Sequence, residues 1–118
     1  MSLVNQREQL LGVLFQVWSR NSSSKWTPEN PANGQCGVTA LVVQDVLGGD
    51  ILKTKTPDGW HFYNRIYDRR HDFTESQFAK PIEYVDIVSS REEAFSDTNA
   101  DQYDYLRQSV FNQFRETP

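Results

Sequence analysis

Scarcity bounds this chain before any motif does. Its 118 residues hold one cysteine, so no internal disulfide framework and no multi-cysteine metal knuckle can form. Histidine occurs twice. A zinc site needs three or four ligands, which one Cys and two His do not fill. No metal and no cofactor is therefore expected. Positive charge is in deficit: 12 Lys+Arg face 16 Asp+Glu, a net charge of −4. Nucleic acids and anionic membranes call for clustered positive charge, so neither is an expected partner. Long apolar runs are missing and the mean hydropathy is −0.67, which leaves no membrane-spanning helix. No glycine-rich phosphate loop is present, because Gly48-Gly49 follows a helical pattern rather than opening one. The first residues show no basic region, no continuous apolar stretch and no small-residue cleavage site. That predicts a cytoplasmic protein whose thiol stays reduced.

What is present points to one compact domain spanning 1–118. An aromatic fraction of 13% is too rich for a disordered chain. A chain of this length buries roughly two-thirds of its unfolded surface around a single core. Leu3, Leu10, Leu11, Leu14 and Trp18 recur at helical spacing and predict an amphipathic helix over 3–18. Pro28, Pro31 and Gly34 make 26–35 a coil. Apolar residues then cover all sides of a helix from Cys36 to Leu47, the signature of a buried helix, and Gly48-Gly49 ends it. The rival reading of that stretch is a core strand, since Val and Thr favour strands.

A strand is expected over 50–55, a turn at Pro57-Asp58-Gly59 and an alternating strand over 60–67. Trp60, Phe62 and Ile66 would face the core, and His61, Tyr63, Arg65 and Tyr67 the polar side. After a turn at Asp68-Arg69 a second strand would run through His71 and Phe73. Thr74-Glu75-Ser76-Gln77 and Ser90-Arg91-Glu92-Glu93 both fit capping boxes opening short helices. Another strand is expected over 82–88. A last helix over 100–114 carries the stripe Tyr103, Leu106, Val110 and Phe114.

The lone thiol stands where the loop Asn33-Gly34-Gln35 meets the buried helix. A helix N-terminus has unpaired N–H groups and partial positive charge, which predicts a depressed cysteine pKa. The Cys36 N–H, with a Gln35 or Asn33 amide, could cradle a developing oxyanion. The competing view is that Cys36 is a small buried hydrophobe, the common fate of a free cysteine. A nucleophile needs a base, and His61 lies on the polar strand face. If Phe73 joins Phe62 and Trp60 on the apolar face, opposed residue numbers must sum to an odd value such as 135. Asp72 then faces Tyr63, one diagonal step from His61 and within side-chain reach. That carboxylate would orient the imidazole. His71 falls on the apolar face or in the turn. Trp60 and Tyr63 are candidate walls of a substrate cleft, although core packing is the ordinary role of an aromatic.

The stretch from Trp26 to Asp45, with Gly59-Trp60-His61-Phe62-Tyr63-Asn64-Arg65 and Asp72-Phe73-Thr74-Glu75-Ser76-Gln77-Phe78, resembles the YunG-like family of small bacterial proteins. More distantly, the order Cys, His, Asp resembles papain-like and transglutaminase-like enzymes. Those carry the cysteine at the start of a central helix and the histidine and acid on neighbouring antiparallel strands. That resemblance implies Cys36 as nucleophile, His61 as base and Asp72 as orienting acid, with Gln35 as an oxyanion donor. The expected fold is α+β, papain-like in arrangement, with the Cys36 helix on a small antiparallel sheet flanked by the terminal helices. Two functions follow as expectations. One is a thiol hydrolase or acyl transferase acting on an amide or ester of a small molecule or peptide. The other is a non-catalytic binding or accessory domain on the same scaffold. Oligomeric state stays open.

Overall fold

The computed structural model describes residues 3–116. Helix α1 covers Leu3–Val17 and buries Leu10, Val13, Leu14 and Val17, the spacing of one helix face. Helix α2 covers Cys36–Leu47, and its residues from Cys36 through Val43 are all buried. A helix apolar all round is thus a central one. Gly48, at φ 78°, ends it and its N–H returns to the Gln44 carbonyl.

Four strands follow: β1 (Asp50–Thr56), β2 (Gly59–Ile66), β3 (Arg69–His71) and β4 (Ile87–Val88). They form an antiparallel sheet in the order β3-β2-β1-β4. The β2–β3 pairs are Asn64–His71, Arg65–Arg70 and Ile66–Arg69, the register in which residue numbers sum to 135. Tyr67 and Asp68 both take left-handed φ, 49° and 65°. That is what a two-residue type I′ hairpin turn demands, and here neither glycine nor asparagine supplies it.

Helix α3 (Arg91–Phe95) starts at Ser90, whose Oγ accepts the Glu93 N–H at 3.1 Å. Glu93 does not complete the box; its carboxylate goes to Lys53 and Ser89 instead. Helix α4 covers Ala100–Glu116 and buries Leu106 and Val110. The sheet packs on one side of α2 and α4 on the other, with α1 laid on α4. Leu10, Leu14, Val38, Val42, Leu106 and Val110 share one core cluster, and Cys36, Ala40, Leu41, Ile51, Phe62 and Ala94 a second.

Three local expectations give way. The predicted helix at Thr74 is a single 3-10 turn, Glu75–Gln77, and Thr74 makes no side-chain cap. Asp72 has taken Thr74 instead: Oδ1 accepts both its N–H and its hydroxyl. The second hairpin strand stops at His71, before Phe73. Of the strand expected over 82–88, only Ile87–Val88 is paired. The residues before it are an irregular cover. Thr54 donates to the Glu83 carbonyl and accepts the Val85 N–H, holding that cover on the sheet.

The cover changes the faces of β2. His61 and Tyr63, expected on a wet face, are 2% and 1% exposed beneath it. Trp60, expected in the core, is 43% exposed and lies under the ammonium groups of Lys53 and Lys55, 4.3 and 5.1 Å from its ring centre.

Candidate functional site

Cys36 is the first residue of α2, and its thiol is buried against β2. The thiol donates to Asp97 Oδ2 at 3.4 Å, and the next residue, Gly37, donates its N–H to the same oxygen at 3.1 Å. Asp97 sits in the turn between α3 and α4. It is exposed as a residue, but the oxygen turned toward α2 is partly desolvated, which raises its carboxyl above the ordinary range. The Cys36 thiol is pushed up to about 12, by burial first and then by the Asp97 charge; the Phe62 N–H pulls weakly the other way. This corrects the expectation of a depressed thiol. The positive end of α2 is present, but a carboxylate already occupies it.

On the other side of β2, His61 Nε2 lies 2.6 Å from Asp72 Oδ2, with both side chains almost fully buried. Asp72 also accepts from Tyr84 Oη at 2.7 Å and from Thr74 at its second oxygen. A carboxylate that accepts from its other partners is placed to accept from Nε2–H too, and in the neutral imidazole that leaves Nδ1 as the lone-pair nitrogen. No hydrogen bond among the described residues engages Nδ1. The edge of Phe78 packs on the ring, with centres 4.8 Å apart. Phe78, the Tyr63 ring stacked with its centre 5.7 Å away, and the carboxylate thus hold the imidazole in place.

Cys36 and His61 line the same open cavity of about 410 Å³, with Asn33, Trp60, Lys25, Gln77 and Asp97 among its other walls. They are not hydrogen-bonded to each other; the thiol's partner is Asp97. Asn33 reaches the cavity, although its Nδ2 is donated to the Lys25 carbonyl. Gly34 takes φ +74°, and a Cβ there would come within 2.6 Å of Ser23 Oγ and 2.7 Å of Lys25 Cβ, so only glycine lets the loop close over these residues.

Two sequence candidates lie elsewhere. Gln35 is fully buried and turns away from the cavity: its Nε2 reaches the Ser19 carbonyl at 3.5 Å, and its Oε1 has no partner among the described residues. Its carbonyl accepts the Thr39 N–H and begins the helix, so backbone geometry sets its place. Tyr63 is also outside the cavity. Its hydroxyl donates to Asp86 Oδ1 and accepts the Asp86 N–H, both at 2.9 Å, and burial beside that carboxylate pushes the phenol up to about 12. It anchors the cover over His61. Asp97 is the residue that sequence reading missed. Its one local signal is Gly37, a glycine in the first turn of a helix, where a backbone approach is the usual reason.

The geometry defines a class: a small α+β domain with a thiol at the start of its central helix and a buried His–Asp pair on the adjoining hairpin, both opening on one cavity. The chain belongs to the YunG family, whose pattern, described as YunG protein, matches residues 6–115. A Bacillus subtilis (strain 168) relative, named Uncharacterized protein YunG, is 59% identical over 102 residues, 86% of this chain and 89% of the relative. No solved structure matches the chain. Among the described residues, no helix is long and apolar enough to cross a membrane.

Proposed function

We propose that this domain is a thiol-dependent hydrolase or acyl transferase that acts on an amide or ester. The observation that carries the reading is the buried 2.6 Å His61–Asp72 contact beside a cavity that the Cys36 thiol also lines. A buried imidazole held by a carboxylate, with its other nitrogen uncommitted, is the equipment of a general base. Nδ1 takes the thiol proton as Sγ bonds to the substrate carbonyl carbon. The tetrahedral oxyanion collapses, the C–N or C–O bond breaks, and the imidazolium returns the proton to the leaving group. Water then releases the acid from the acyl-thioester, or an amine takes the acyl group. The Cys, His, Asp order along the chain is similar to that of papain-like and transglutaminase-like enzymes, which lends the reading analogy of arrangement.

The test is acylation by p-nitrophenyl acetate, followed by intact mass. The wild type is expected to gain one acetyl group on Cys36 and to release it. Cys36→Ala is expected to gain none. His61→Gln is expected to slow acylation by about a hundredfold or more, the usual share of a positioned base. Thermal melting of each variant separates lost chemistry from lost fold. Equal rates in a folded His61→Gln variant would sink the proposal. One observation favours the second reading, a non-catalytic binding or accessory domain: the thiol is neutral, and Asp97 holds its proton. That reading expects slow alkylation indifferent to His61.

A further inference from the structure

Asp97 has a position that neither the nucleophile nor the base explains. No cation pairs with it directly among the described residues. One of its oxygens instead gathers two donors from the start of α2, the Gly37 N–H and the Cys36 thiol. In acyl transfer the backbone N–H beside a nucleophile is a natural donor to the carbonyl oxygen that becomes negative. Oδ2 therefore stands where such an oxygen would stand, close to the sulfur and on a helix-start N–H. Gly37 makes this possible. A Cβ there would come within 2.7 Å of both Asp97 Oδ2 and Asp97 Cβ.

We infer that Asp97 is an internal occupant of the oxyanion seat, so that the resting site is closed by its own carboxylate and a substrate carbonyl must displace it before Cys36 reacts. The inference rests on the hydrolase or transferase reading above. Displacement would do two things at once. It would free the Gly37 N–H for the substrate oxygen. It would also remove the acceptor that holds the thiol proton, leaving His61 Nδ1 as the base. The charged and titratable groups around the thiol and its cavity are Asp97 from the α3–α4 turn, His61 from β2, Asp72 behind it, Asp58 from the β1–β2 turn and Lys25 from the loop before α2. Lys25, like His61, exerts its charge on Asp97, and it lines the cavity as a landing place for the displaced carboxylate. Asp97 is thus a positioning residue; it acts through Cys36.

The experiment measures iodoacetamide alkylation of Cys36 from about pH 7 to about pH 12, a range that reaches the raised thiol midpoint, with p-nitrophenyl acetate acylation alongside, in the wild type, Asp97→Ala, Asp97→Asn and His61→Gln. Both Asp97 variants are expected to alkylate at least about tenfold faster near neutrality, the effect of one unit of thiol pKa, with the pH midpoint moved down. Asp97→Ala is also expected to acylate faster. A role in merely bracing the turn would raise rates equally at every pH and leave the midpoint in place, and that result overturns the inference. Slower acylation in Asp97→Ala overturns it too. If the Asp97 variants accelerate while His61→Gln matches the wild type, the seat occupancy stands and the triad falls. If His61→Gln is slow while the Asp97 variants match the wild type, the triad stands and the occupancy falls.

Discussion

The two histidines of this chain sit in one hairpin and on opposite faces of it. His61 lies under the irregular cover with its Nε2 on Asp72. His71, paired across the hairpin with Asn64, lies on the helix-facing side, where Arg7 of α1 donates its Nε to His71 Nδ1 at 3.2 Å. The Arg7 guanidinium also stacks over Phe73, 5.2 Å from its centre. One imidazole thus has an anion for a neighbour and the other a cation. The strand alternation decided only which face each would take. What each face does was decided by the elements that came to cover it: the hairpin's own exit brought a carboxylate, and α1 brought an arginine. A base needs one ring nitrogen uncommitted and a partner that orients the ring, which the first setting provides. In the second, burial, then Arg7, then Arg69 depress the imidazole pKa below its ordinary value.

Removing the carboxylate tests the contrast most severely. Asp72→Ala leaves His61, Tyr84 and Thr74 without their shared acceptor in a buried place. It is expected to cost about 3–5 kcal/mol, the range for breaking a buried pair by deleting one partner, read by urea unfolding. A loss near that of an ordinary surface substitution would show that the two histidines are not differently held. Removing the cation is a smaller perturbation. Arg7→Ala is expected to cost about 1 kcal/mol in the same measurement, and to bring the His71 titration, followed by NMR, back up toward its ordinary value.

The smallest effect is one of pH. A histidine whose folded pKa is depressed binds its proton more readily in the unfolded chain. His71 therefore contributes stability that is full above its ordinary pKa near 6.5 and is lost as pH falls through that value toward the folded one. Unfolding midpoints taken from about pH 7.5 down to about pH 5 should decline, and His71→Gln should flatten that part of the curve. An unchanged slope in the variant would remove His71 from the account.

Much of the frame was legible because local signals and burial agreed. The all-round apolar run from Cys36 and the Gly48-Gly49 stop defined α2 to the residue. The alternation in β2 with Phe73 beyond the turn required an odd register sum, and the observed sum of 135 is the value taken as the example, which brings Asp72 to His61. Tyr67-Asp68 carried no turn signature, yet the pairing forced both into left-handed backbone. What escaped came from distant chain segments without a periodic pattern. The cover over His61 is held by Thr54, Tyr63 and Tyr84 through side-chain hydrogen bonds, and its residues read as one strand over 82–88 although only Ile87–Val88 is paired. Asp97 arrives at α2 from a turn near the other end of the chain. A glycine after the cysteine indicated that something approaches closely, but not that the visitor is the protein itself.

The packing of α1 on α4 has a further consequence, for the order of assembly. Leu10 and Leu14 share their core with Leu106 and Val110, and the Tyr105 hydroxyl donates to the Val17 carbonyl at 2.7 Å. Helix α1 therefore has only part of its packing surface, from α2 and the hairpin, until α4 is synthesised. Closure of the domain is then a long-range event of high sequence separation, the slow kind of step in a small protein. A chain ended before α4 would keep every residue of the Cys36–His61–Asp72 group and yet leave α2 without the layer that backs it.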